Sequence, residues 1–573
     1  MYNILQNVQI VISLLKEYNI KHLVLSPGSR NVPFVHSVEQ DPFFTCYSIL
    51  DERGAGYFAL GLSQELKEPV LISCTSSTAT SNYFPAVKEA ASRHIQLVVL
   101  TADRNPYNRG QMENQMIDQI NMYHSFCRKA VDLPTVLDKA SFNYCERLVN
   151  EALLELNHNG TGPVQINFPA FKGFTDFSVK ELPKCRKITR YYADSSASDW
   201  SNIIQKLSSA KKVIFLFGEG CAYSNGVLKK LELVAMQYNV VISVEHMSNV
   251  YSPMALRTYP ITECLSDEEV RDIVPEIIVT FKGNFSSSIK EKLRKFSDCF
   301  HHWRVALDGE VIDTFKSLDS VFECSDEEFF SKLLEHSNMP NNPADNSYLE
   351  KWKAKLSEVK LPQERFSNFF VVKYVCESIP SDSLLHLSIL NSIRMANFFD
   401  LNEKVQCYAN IGAYGIDGSF STFLGQAVNT SNLAYLIIGD LSFLYDANAL
   451  SIELFPPNVR IIVINNNGGA EFFNNYMGHG IDDIGKHIAA SHKSNIKNLI
   501  YGDKAEYLSA RNNFELLTAL KLMSECGKDK AMILEVFTDI ETDAEVLREY
   551  YKINSSVSLK TKTKKKIKEL LGR

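Results

Sequence analysis

The sequence has little of what marks a membrane, nucleic-acid or zinc-binding protein. No apolar run approaches the roughly 18 to 20 residues that a bilayer span requires, so no membrane span is expected. The formal net charge is −7, and a chain without a basic footprint lacks the main source of affinity for nucleic acid. The 12 cysteines include no C-x-x-C pair, which excludes a zinc ribbon and a thioredoxin-type redox motif. Small-molecule chemistry is therefore the first expectation.

The N-terminal stretch also lacks the pattern of a secretory leader. Its apolar residues follow a helical period that polar side chains interrupt, whereas a leader needs a basic start, an unbroken apolar stretch and a cleavage site. We therefore expect a cytoplasmic protein. Hydrophobic residues make up 45% of the chain and charged residues 22%, which is typical of a globular protein. The 573 residues allow three or four domains at about 150 residues each.

Two distant segments follow one plan of strand, tight turn, helix and strand. In the first, PVLISC runs into the turn at 75–79, then a helical stretch, and then IQLVVLTADR. In the second, AYLII runs into the turn at 439–442, then YDANALSIELF, and then VRIIVINNNGG. Continuous apolar strands are typical of a buried parallel sheet. Each segment therefore predicts a βαβ unit, and the pair predicts two similar α/β domains.

A third α/β segment lies between them, with the apolar runs KKVIFLFGEG, NVVISVEH and EIIVTFKGNF. The polar, proline-bearing stretch at 338–362 has the composition of an interdomain linker. The predicted fold class is α/β, with three doubly wound parallel-sheet domains at 1–185, 186–350 and 351–573. The basic run LKTKTKKKIKELLGR near the C-terminus predicts a solvated tail, with contact to a polyanion or a membrane as the alternative.

The clearest chemical signal is Gly439 and Asp440, followed by the Asn-rich run at 465–469 after the next strand. Strand ends in a parallel sheet form a crevice where ligands bind, so both clusters face one predicted site. Magnesium prefers hard oxygen donors and keeps phosphate oxygens and water as further ligands. The Asp440 carboxylate, the Asn467 side-chain oxygen and the Gly469 carbonyl would supply three such donors.

This spacing resembles the diphosphate and metal motif of thiamin-diphosphate enzymes, which begins with Gly-Asp and closes with a double Asn. The resemblance implies a pyrimidine-binding domain, a central domain and a diphosphate-binding domain, with thiamin diphosphate and Mg²⁺ as cofactors. It also implies a glutamate that exchanges a proton with the aminopyrimidine, and Glu52 in SILDERGAGYFALGL matches that position. A carboxyl group in an apolar, water-poor pocket suits such exchange. On its own, a Glu in an Asp-Glu-Arg triplet is usually part of a surface salt bridge.

The resemblance becomes closer along the motifs SPGSRNVPF, DERGAGYFALGL, TSSTATSNYFPA, LTADRNP, ENQMI, GIDGSFST, GDLS and NNNGG. In this order they are similar to the motifs of the menaquinone-pathway 2-succinyl-5-enolpyruvyl-6-hydroxy-3-cyclohexene-1-carboxylate synthase family. They run from about residue 24 to about residue 470. Members of that family decarboxylate 2-oxoglutarate and add the resulting carbanion to isochorismate.

The resemblance implies roles for individual residues. The implied catalytic residues are Glu52, Arg30, Ser29 and Gln115. The implied magnesium ligands are Asp440, Asn467 and Gly469. The implied cofactor-binding residues are Glu52, Thr75, Ser76, Ile416, Gly439, Asp440, Leu441, Ser442, Asn467 and Gly469. The implied substrate-binding residues are Ser29, Arg30, Arg104, Asn114, Gln115, Leu390, Arg394, Ile411 and Phe473. Arginines suit this last set because a guanidinium group binds carboxylates in bidentate fashion.

The chain departs from the family at several positions. Ile411 replaces an arginine in IGAYGIDG, and Leu390 replaces a substrate-facing serine. An expected lysine falls on Ile289 or beside it at Lys290, and Ser77 stands where the family usually has glycine. Losing one partner of a desolvated charge pair costs about 2 to 5 kcal/mol, so a dicarboxylate acceptor would lose its usual pose. We therefore expect that the cofactor chemistry is retained and that the substrate pair has changed, in whole or in part.

Three functions stay open. The main hypothesis is a transferase or lyase that decarboxylates a 2-oxoacid and passes the acyl carbanion, as an enamine, to an electrophilic acceptor. The alternative is the synthase reaction itself, in which Lys290 and Arg104 compensate for the lost arginine. The third is a cofactor- or sugar-binding protein without catalysis, although binding alone needs no carboxylate such as Glu52. In the family the site lies between subunits, which implies a homodimer or homotetramer with shared active sites.

Overall fold

The computed structural model describes residues 1–171, 173–335, 346–402, 404–476, 484–500 and 504–555, except for the side chains of 474–476. The chain divides into two compact units. Unit 1 comprises Met1–Tyr191 and Gly309–Val321, and unit 2 comprises Tyr192–Asp308 and Phe322–Arg573. Within the described ranges, every helix is too short or too polar to cross a bilayer.

Unit 1 contains a six-stranded parallel sheet. Its strands are β1 (His22–Leu25), β2 (Thr45–Ser48), β3 (Val70–Cys74), β4 (Leu97–Asp103), β5 (Lys129–Asp132) and β6 (Val164–Pro169). They lie in the order β2-β1-β3-β4-β6-β5, and every neighbouring pair is parallel. Its helices are α1 (Gln6–Glu17), α2 (Val32–Glu39), α3 (Glu52–Leu66), α4 (Thr78–Asn82), α5 (Phe84–Ser92) and α6 (Lys139–Leu154).

A second sheet is built from the middle of the chain. The strands of this region are β7 (Thr189–Tyr192), β8 (Val213–Phe217), β9 (Val240–Val244), β10 (Ala255–Arg257), β11 (Ile277–Phe281), β12 (His301–Val305) and β13 (Leu318–Glu323). Its helices are α7 (Ala197–Ser209), α8 (Asn225–Tyr238), α9 (Tyr259–Thr262), α10 (Asp267–Ile273), α11 (Ile289–Arg294) and α12 (Asp326–Glu335). In unit 2 the strands run in the parallel order β10-β9-β8-β11-β12, which confirms the third α/β segment.

The last part of the chain forms a third, six-stranded sheet. Its strands are β14 (Leu384–Leu387), β15 (Gln406–Ala409), β16 (Ala434–Gly439), β17 (Val459–Asn465), β18 (Ala505–Ala510) and β19 (Ala531–Phe537). The helices are α13 (Ser347–Ser357), α14 (Asn368–Ser378), α15 (Asn391–Ala396), α16 (Ser419–Ala427), α17 (Asp440–Tyr445), α18 (Ala470–Tyr476), α19 (Asn513–Met523) and α20 (Ile540–Asn554). Short 3-10 helices occupy Pro106–Asn108, His246–Ser248, Ser297–Cys299, Ala447–Ser451 and Ile496–Leu499.

The first and third sheets share one topology. The third has the order β15-β14-β16-β17-β19-β18, which is the order of the first sheet when its strands are counted from β14. The β3-to-β4 and β16-to-β17 segments both form parallel βαβ units. The predicted internal repeat and the α/β fold class with three parallel-sheet domains are therefore confirmed.

Both faces of the third sheet are covered by apolar side chains. In β16, Tyr435 and Ile437 belong to the core that includes residues of α14, α15, α19 and α20, whereas Leu436 and Ile438 belong to the core that includes residues of α16 and α17. This alternation follows the two-residue period of a strand. A sheet covered on both faces leaves the carboxyl ends of its strands as the place for a ligand site.

The second and third sheets are joined by buried polar contacts within unit 2. Asn249 forms a reciprocal pair with the backbone of Cys407, with both hydrogen bonds at 2.9 Å. The His246 Nε2 atom lies 3.1 Å from the Ala396 carbonyl and 3.0 Å from that of Phe399. Because buried polar groups need hydrogen-bond partners, these contacts fix how the two sheets pack.

The stretch at 338–362 is more than a plain linker. Within its described part, α13 buries Tyr348 and Trp352, and the Tyr348 hydroxyl donates to the Ile273 carbonyl at 2.8 Å. The polar composition hid these two aromatic anchors, which fall four residues apart on one helix face. The domain boundaries at 185 and 350 stay predictions.

Two turn residues adopt backbone conformations that favour glycine. Ser77 has a φ of 76° and Leu390 a φ of 63°, and side chains with a Cβ atom are strained there. The Ser77 N–H donates to the Gln119 side-chain oxygen at 3.0 Å, a contact that holds the turn. The glycine that the related family has at this position is therefore explained by the backbone geometry.

Candidate active site

A cavity of about 200 Å³ lies at the carboxyl ends of β14, β16 and β17 in unit 2. Its lining includes residues from the turn after each of these strands: Ser388, Leu390, Gly439, Asp440, Gly468 and Gly469. Such a crevice at strand ends is where ligands bind in open parallel sheets. The sequence prediction that the Gly-Asp turn and the Asn-rich turn share one site agrees with this placement.

The Asp440 carboxylate links the two turns. Its Oδ2 atom accepts a hydrogen bond from the Gly468 N–H at 3.1 Å, and its Oδ1 atom accepts one from the Leu441 N–H at 2.7 Å. The His492 Nε2 atom lies 3.2 Å from Oδ2. Burial raises the pKa of Asp440, while His492 and the two N–H donors oppose the rise. A buried carboxylate that polar donors orient is suited to hold a cation.

The 465–469 turn depends on its glycines. Gly468 has a φ of 155°, and a Cβ atom on it would lie 2.9 Å from the Ala489 carbonyl oxygen. A Cβ atom on Gly469 would lie 2.8 Å from the Phe472 ring. Asn467, which directly precedes Gly468, also has a positive φ, of 63°. The turn therefore adopts a shape that brings its backbone close to the cavity only with glycines at 468 and 469.

The predicted magnesium donors fit the chemistry of that ion. They combine one carboxylate at Asp440 with an amide oxygen at Asn467 and a carbonyl at Gly469, all of them hard oxygen donors. The Asn467 side chain is exposed and is not among the residues that line the described cavity. The Gly469 carbonyl accepts a hydrogen bond from the Phe472 N–H at 3.0 Å, which leaves its second lone pair available.

A buried network behind the turn was not predicted. The Asp543 carboxylate accepts hydrogen bonds from the Asn368 N–H at 2.7 Å, the Asn466 side chain at 2.9 Å and the Thr538 hydroxyl at 2.8 Å. Asn368 and Asn466 line the cavity. Their Oδ1 atoms are buried and form no hydrogen bond with the part of the chain that the structure describes. Two residues of the cavity wall therefore carry acceptors that the described part of the chain leaves without a donor.

The other predicted cofactor residues of unit 2 lie at the same cavity. Ile416, Leu441 and Ser442 all line it. The Ser442 hydroxyl donates to the Ile416 carbonyl and lies 3.0 Å from the Ser388 hydroxyl. These contacts join the turn after β14, the turn after β16 and the segment that carries Ile416.

Of the four predicted substrate residues in unit 2, only Leu390 is among the described residues that line the cavity. Leu390 lines the cavity, whereas Ile411 is 1% exposed and packs in the core. Phe472 lines the cavity, while its neighbour Phe473 is partly buried and is not among the described lining residues. Arg394 is bound by Glu471, through Nη2 to Oε1 at 3.0 Å and Nη1 to Oε2. The substrate roles of these residues stay predictions.

The lysine that the resemblance implies near residue 289 corresponds to Ile289 or Lys290, and both lie in unit 2. Ile289 is buried, and the Lys290 ammonium group donates to the Phe285 carbonyl at 2.9 Å. Its Nζ atom also lies 4.9 Å from the centre of the Phe285 ring. Lys290 is therefore held locally by backbone and ring contacts.

In unit 1, Glu52 is the first residue of α3. The Asp51 carboxylate caps that helix by accepting a hydrogen bond from the Gly54 N–H at 3.1 Å. The Glu52 residue is partly buried, and its side chain forms no ion pair or hydrogen bond with the described residues. Its charge contributes to the raised pKa values of the buried Cys74 and Tyr83, which burial dominates. The surface salt bridge expected of a lone Asp-Glu-Arg triplet therefore does not involve Glu52.

The remaining predicted residues of unit 1 converge on three loops. The Thr75 hydroxyl oxygen accepts a hydrogen bond from the Arg30 N–H at 3.2 Å, and the Ser76 hydroxyl donates to the Gln115 carbonyl at 2.9 Å. A Cβ atom on Gly28 would lie 2.3 Å from the Thr75 Cβ. These contacts bring the SPGSR, TSST and ENQ motifs together. Ser29 and Asn114 are exposed beside them.

The two arginines of these loops differ in their partners. Arg104 donates to Glu113 at 2.6 Å and to the Gln115 side chain at 3.3 Å. Arg30 donates from Nη1 to the Ala170 carbonyl at 3.4 Å and lies 4.8 Å from the centre of the Phe174 ring, and it has no ion pair with a described residue. Burial and the nearby charge of Arg104 lower the pKa of Arg30. Arg30 therefore has a guanidinium group available for a carboxylate ligand.

Comparisons with known proteins identify the family of the chain. The profile of the family "Thiamine pyrophosphate enzyme, N-terminal TPP binding domain" matches residues 6–122, which contain Glu52 and the SPGSR and TSST loops. Together with the paired βαβ units, this match defines the class: the protein is a thiamin-diphosphate-dependent enzyme that acts on 2-oxoacids.

Relatives that match almost the whole chain narrow the class. A 2-succinyl-5-enolpyruvyl-6-hydroxy-3-cyclohexene-1-carboxylate synthase of Bacteroides thetaiotaomicron is 34% identical over 96% of this chain and 99% of its own. The protein of the same name from Flavobacterium johnsoniae is 31% identical over 95% of this chain and 98% of its own. That from Desulfotalea psychrophila is 31% identical over 79% and 84%. The chain belongs to this synthase family.

The Asp543 network predicts a pH dependence of stability. Burial raises the pKa of Asp543 to about 7, whereas the pKa of an aspartate in an unfolded chain is about 4. Between these values the folded state holds a proton that the unfolded state has released, so the stabilising contribution of the protonated carboxyl falls as pH rises. Above about pH 7 the contribution is constant.

We expect urea unfolding from pH 4 to pH 8 to show this loss in the wild-type protein and not in Asp543→Asn. The matched control is Asp529→Asn, which changes an exposed carboxyl and should keep the wild-type pH profile. A difference in unfolding free energy between wild type and Asp543→Asn that does not vary with pH would contradict the assignment.

Proposed function

We propose that the protein catalyses the 2-succinyl-5-enolpyruvyl-6-hydroxy-3-cyclohexene-1-carboxylate synthase reaction. In it, 2-oxoglutarate loses carbon dioxide and the remaining four-carbon unit adds to isochorismate. The observation that carries the proposal is the cavity formed by the Gly439-Asp440 turn and the 465–469 turn, in a chain whose full-length relatives bear that name. The proposal includes the predicted domain division and a cytoplasmic location.

The proposal includes thiamin diphosphate with Mg²⁺ in this cavity. Asp440, Asn467 and Gly469 would hold the ion, because their oxygens are the donors that it prefers. Ile416 would support the coenzyme from the cavity wall. When bound, the coenzyme supplies an electron sink for the bond that breaks on loss of carbon dioxide. The protein orients the donor acid and keeps water from the reacting atoms.

The proposal also includes a homodimer or homotetramer with shared active sites. Large apolar side chains are exposed beside Glu52, with Leu50 81% and Tyr57 46% accessible. Others are exposed in the segment that follows Asp440 along the chain, with Tyr445 69% and Leu454 66% accessible. Exposed apolar groups around a functional residue are typical of a protein interface. A second copy would cover them and supply the apolar surroundings that a proton-exchanging glutamate needs.

The departures from the family do not outweigh the full-length relationship. Ile411 replaces a carboxylate-binding arginine, but its side chain packs in the core rather than along the cavity. Leu390 does line the cavity and makes its wall more apolar. A changed donor or acceptor is therefore the second candidate, and the apolar wall at Leu390 is the observation that favours it. The near-complete alignment with named synthases favours the retained reaction.

The product of the reaction tests the two candidates. Purified protein with thiamin diphosphate, Mg²⁺, 2-oxoglutarate and isochorismate should release carbon dioxide and form the synthase product, identified by mass spectrometry. Pyruvate in place of 2-oxoglutarate should give little product. Robust turnover of pyruvate with none of 2-oxoglutarate would contradict the proposal and support the changed substrate pair.

Glu52 provides a test of catalysis as opposed to simple binding. Glu52→Gln keeps the size of the side chain but removes its exchangeable carboxyl proton, so carbon dioxide release should fall by about 10² to 10⁴-fold. Binding of thiamin diphosphate, measured by calorimetry, should persist.

Glu65→Gln is the matched control, because Glu65 lies on the same helix and is exposed. It should leave both measurements unchanged. If Glu52→Gln turned over at the wild-type rate, the proton-exchange role of Glu52 would be wrong. If neither the wild-type protein nor Glu65→Gln released carbon dioxide although both bound thiamin diphosphate, a binding protein without catalysis would become the better account.

A further inference from the structure

The wall of the cavity in unit 2 contains an ion pair that no sequence motif indicated. Arg394 of α15 donates from both Nη atoms to the two carboxylate oxygens of Glu471, the second residue of α18. Arg394 also donates to the Asn391 side chain at 2.8 Å. The side chains of Arg394 and Glu471 are 20% and 16% exposed. This bidentate geometry is the one in which a guanidinium group without a protein partner would bind a substrate carboxylate.

The two partners are placed differently with respect to the cavity. Glu471 lines it, as do its neighbours Ala470 and Phe472, whereas Arg394 is not among the described lining residues. The cavity is therefore lined by the acidic member of the pair and not by the basic one. A ligand carboxylate at this wall would face a negative group and would have to displace it to reach Arg394.

The surroundings make that displacement unfavourable. Leu390, Met395 and Phe472 supply apolar surface to the same cavity. In a partly desolvated site a charged group that loses its partner is left uncompensated. The bound pair is net neutral, so this wall suits an uncharged part of a ligand better than an anionic one.

We propose that Glu471 is a specificity-determining residue, which occupies the carboxylate-binding face of Arg394 and makes this wall of the cavity discriminate against a ligand carboxylate. The part of a substrate favoured at this wall is therefore an uncharged one, and the carboxylates of 2-oxoglutarate and isochorismate are bound elsewhere. This inference rests on the proposed function in one respect, namely that the cavity receives the substrates.

The test measures ligand selection by binding, using protein loaded with thiamin diphosphate and Mg²⁺. Glutarate and valerate have the same chain length and differ by one terminal carboxylate, so the ratio of their affinities reports selection by charge. In Glu471→Gln the ratio should shift toward glutarate by at least about tenfold, because Arg394 becomes available. In Glu471→Asp, which shortens the side chain and loosens the pair, the shift should be smaller and in the same direction.

Two further proteins separate this role from a structural one. In the double variant Arg394→Met with Glu471→Gln the shift should be lost, because no guanidinium group is left to bind glutarate. Glu377→Gln removes the carboxylate of a different ion pair, in which Glu377 lies 2.8 Å from Lys373, and should leave the ratio unchanged. If Glu471→Gln and Glu471→Asp both kept the wild-type ratio, or if the double variant kept the full shift, the inference would be wrong.

Turnover is measured separately, so the two proposals can fail independently. If the wild-type protein released no carbon dioxide from any 2-oxoacid, the proposed function would fail. The glutarate-to-valerate ratio would still decide the role of Glu471, because both acids bind without reacting.

Discussion

The hydrogen bond from the Gly468 N–H to the Asp440 carboxylate is the contact on which the proposed site depends. It joins the turn after β16 to the turn after β17 at 3.1 Å, so residues 28 positions apart share one crevice. The parallel pairing of β16 and β17 fixes the ends of both strands at the same edge. The glycine conformation at Gly468 then lets the backbone approach the carboxylate. The cavity, its oxygen donors and its wall all follow from this arrangement.

Much of the fold could be predicted because buried parallel strands read as continuous apolar runs. The PVLISC and AYLII runs became β3 and β16, and their shared plan became a shared strand order. The cluster of Asp440 with the 465–469 turn was also predictable, since it needs only the rule that parallel strand ends meet at one edge. Glu52 is the first residue of α3, which agrees with the prediction that it follows a strand and precedes a helix.

Contacts between distant positions could not be predicted in the same way. The Arg394–Glu471 pair and the Asp543–Asn466 contact each join residues 77 positions apart, and a lone charged or polar residue carries no sign of its partner. Ile411 was expected along the substrate wall but packs in the core, because the direction of a loop side chain depends on tertiary packing. At this wall the sequence shows an acidic residue, Glu471, two positions after Gly469. That it pairs with Arg394 could be seen only from the position of α15 in the structure.

The measurement closest to the central claim is calorimetric binding of thiamin diphosphate with and without Mg²⁺, for wild type and Asp440→Asn. The account predicts binding to the wild-type protein only with Mg²⁺, and an affinity at least about 100-fold weaker in the variant, since a desolvated charge partner is lost. Asp529→Asn, which changes an exposed carboxyl, should bind as the wild type does. Equal binding by Asp440→Asn and wild type in the presence of Mg²⁺ would contradict the account.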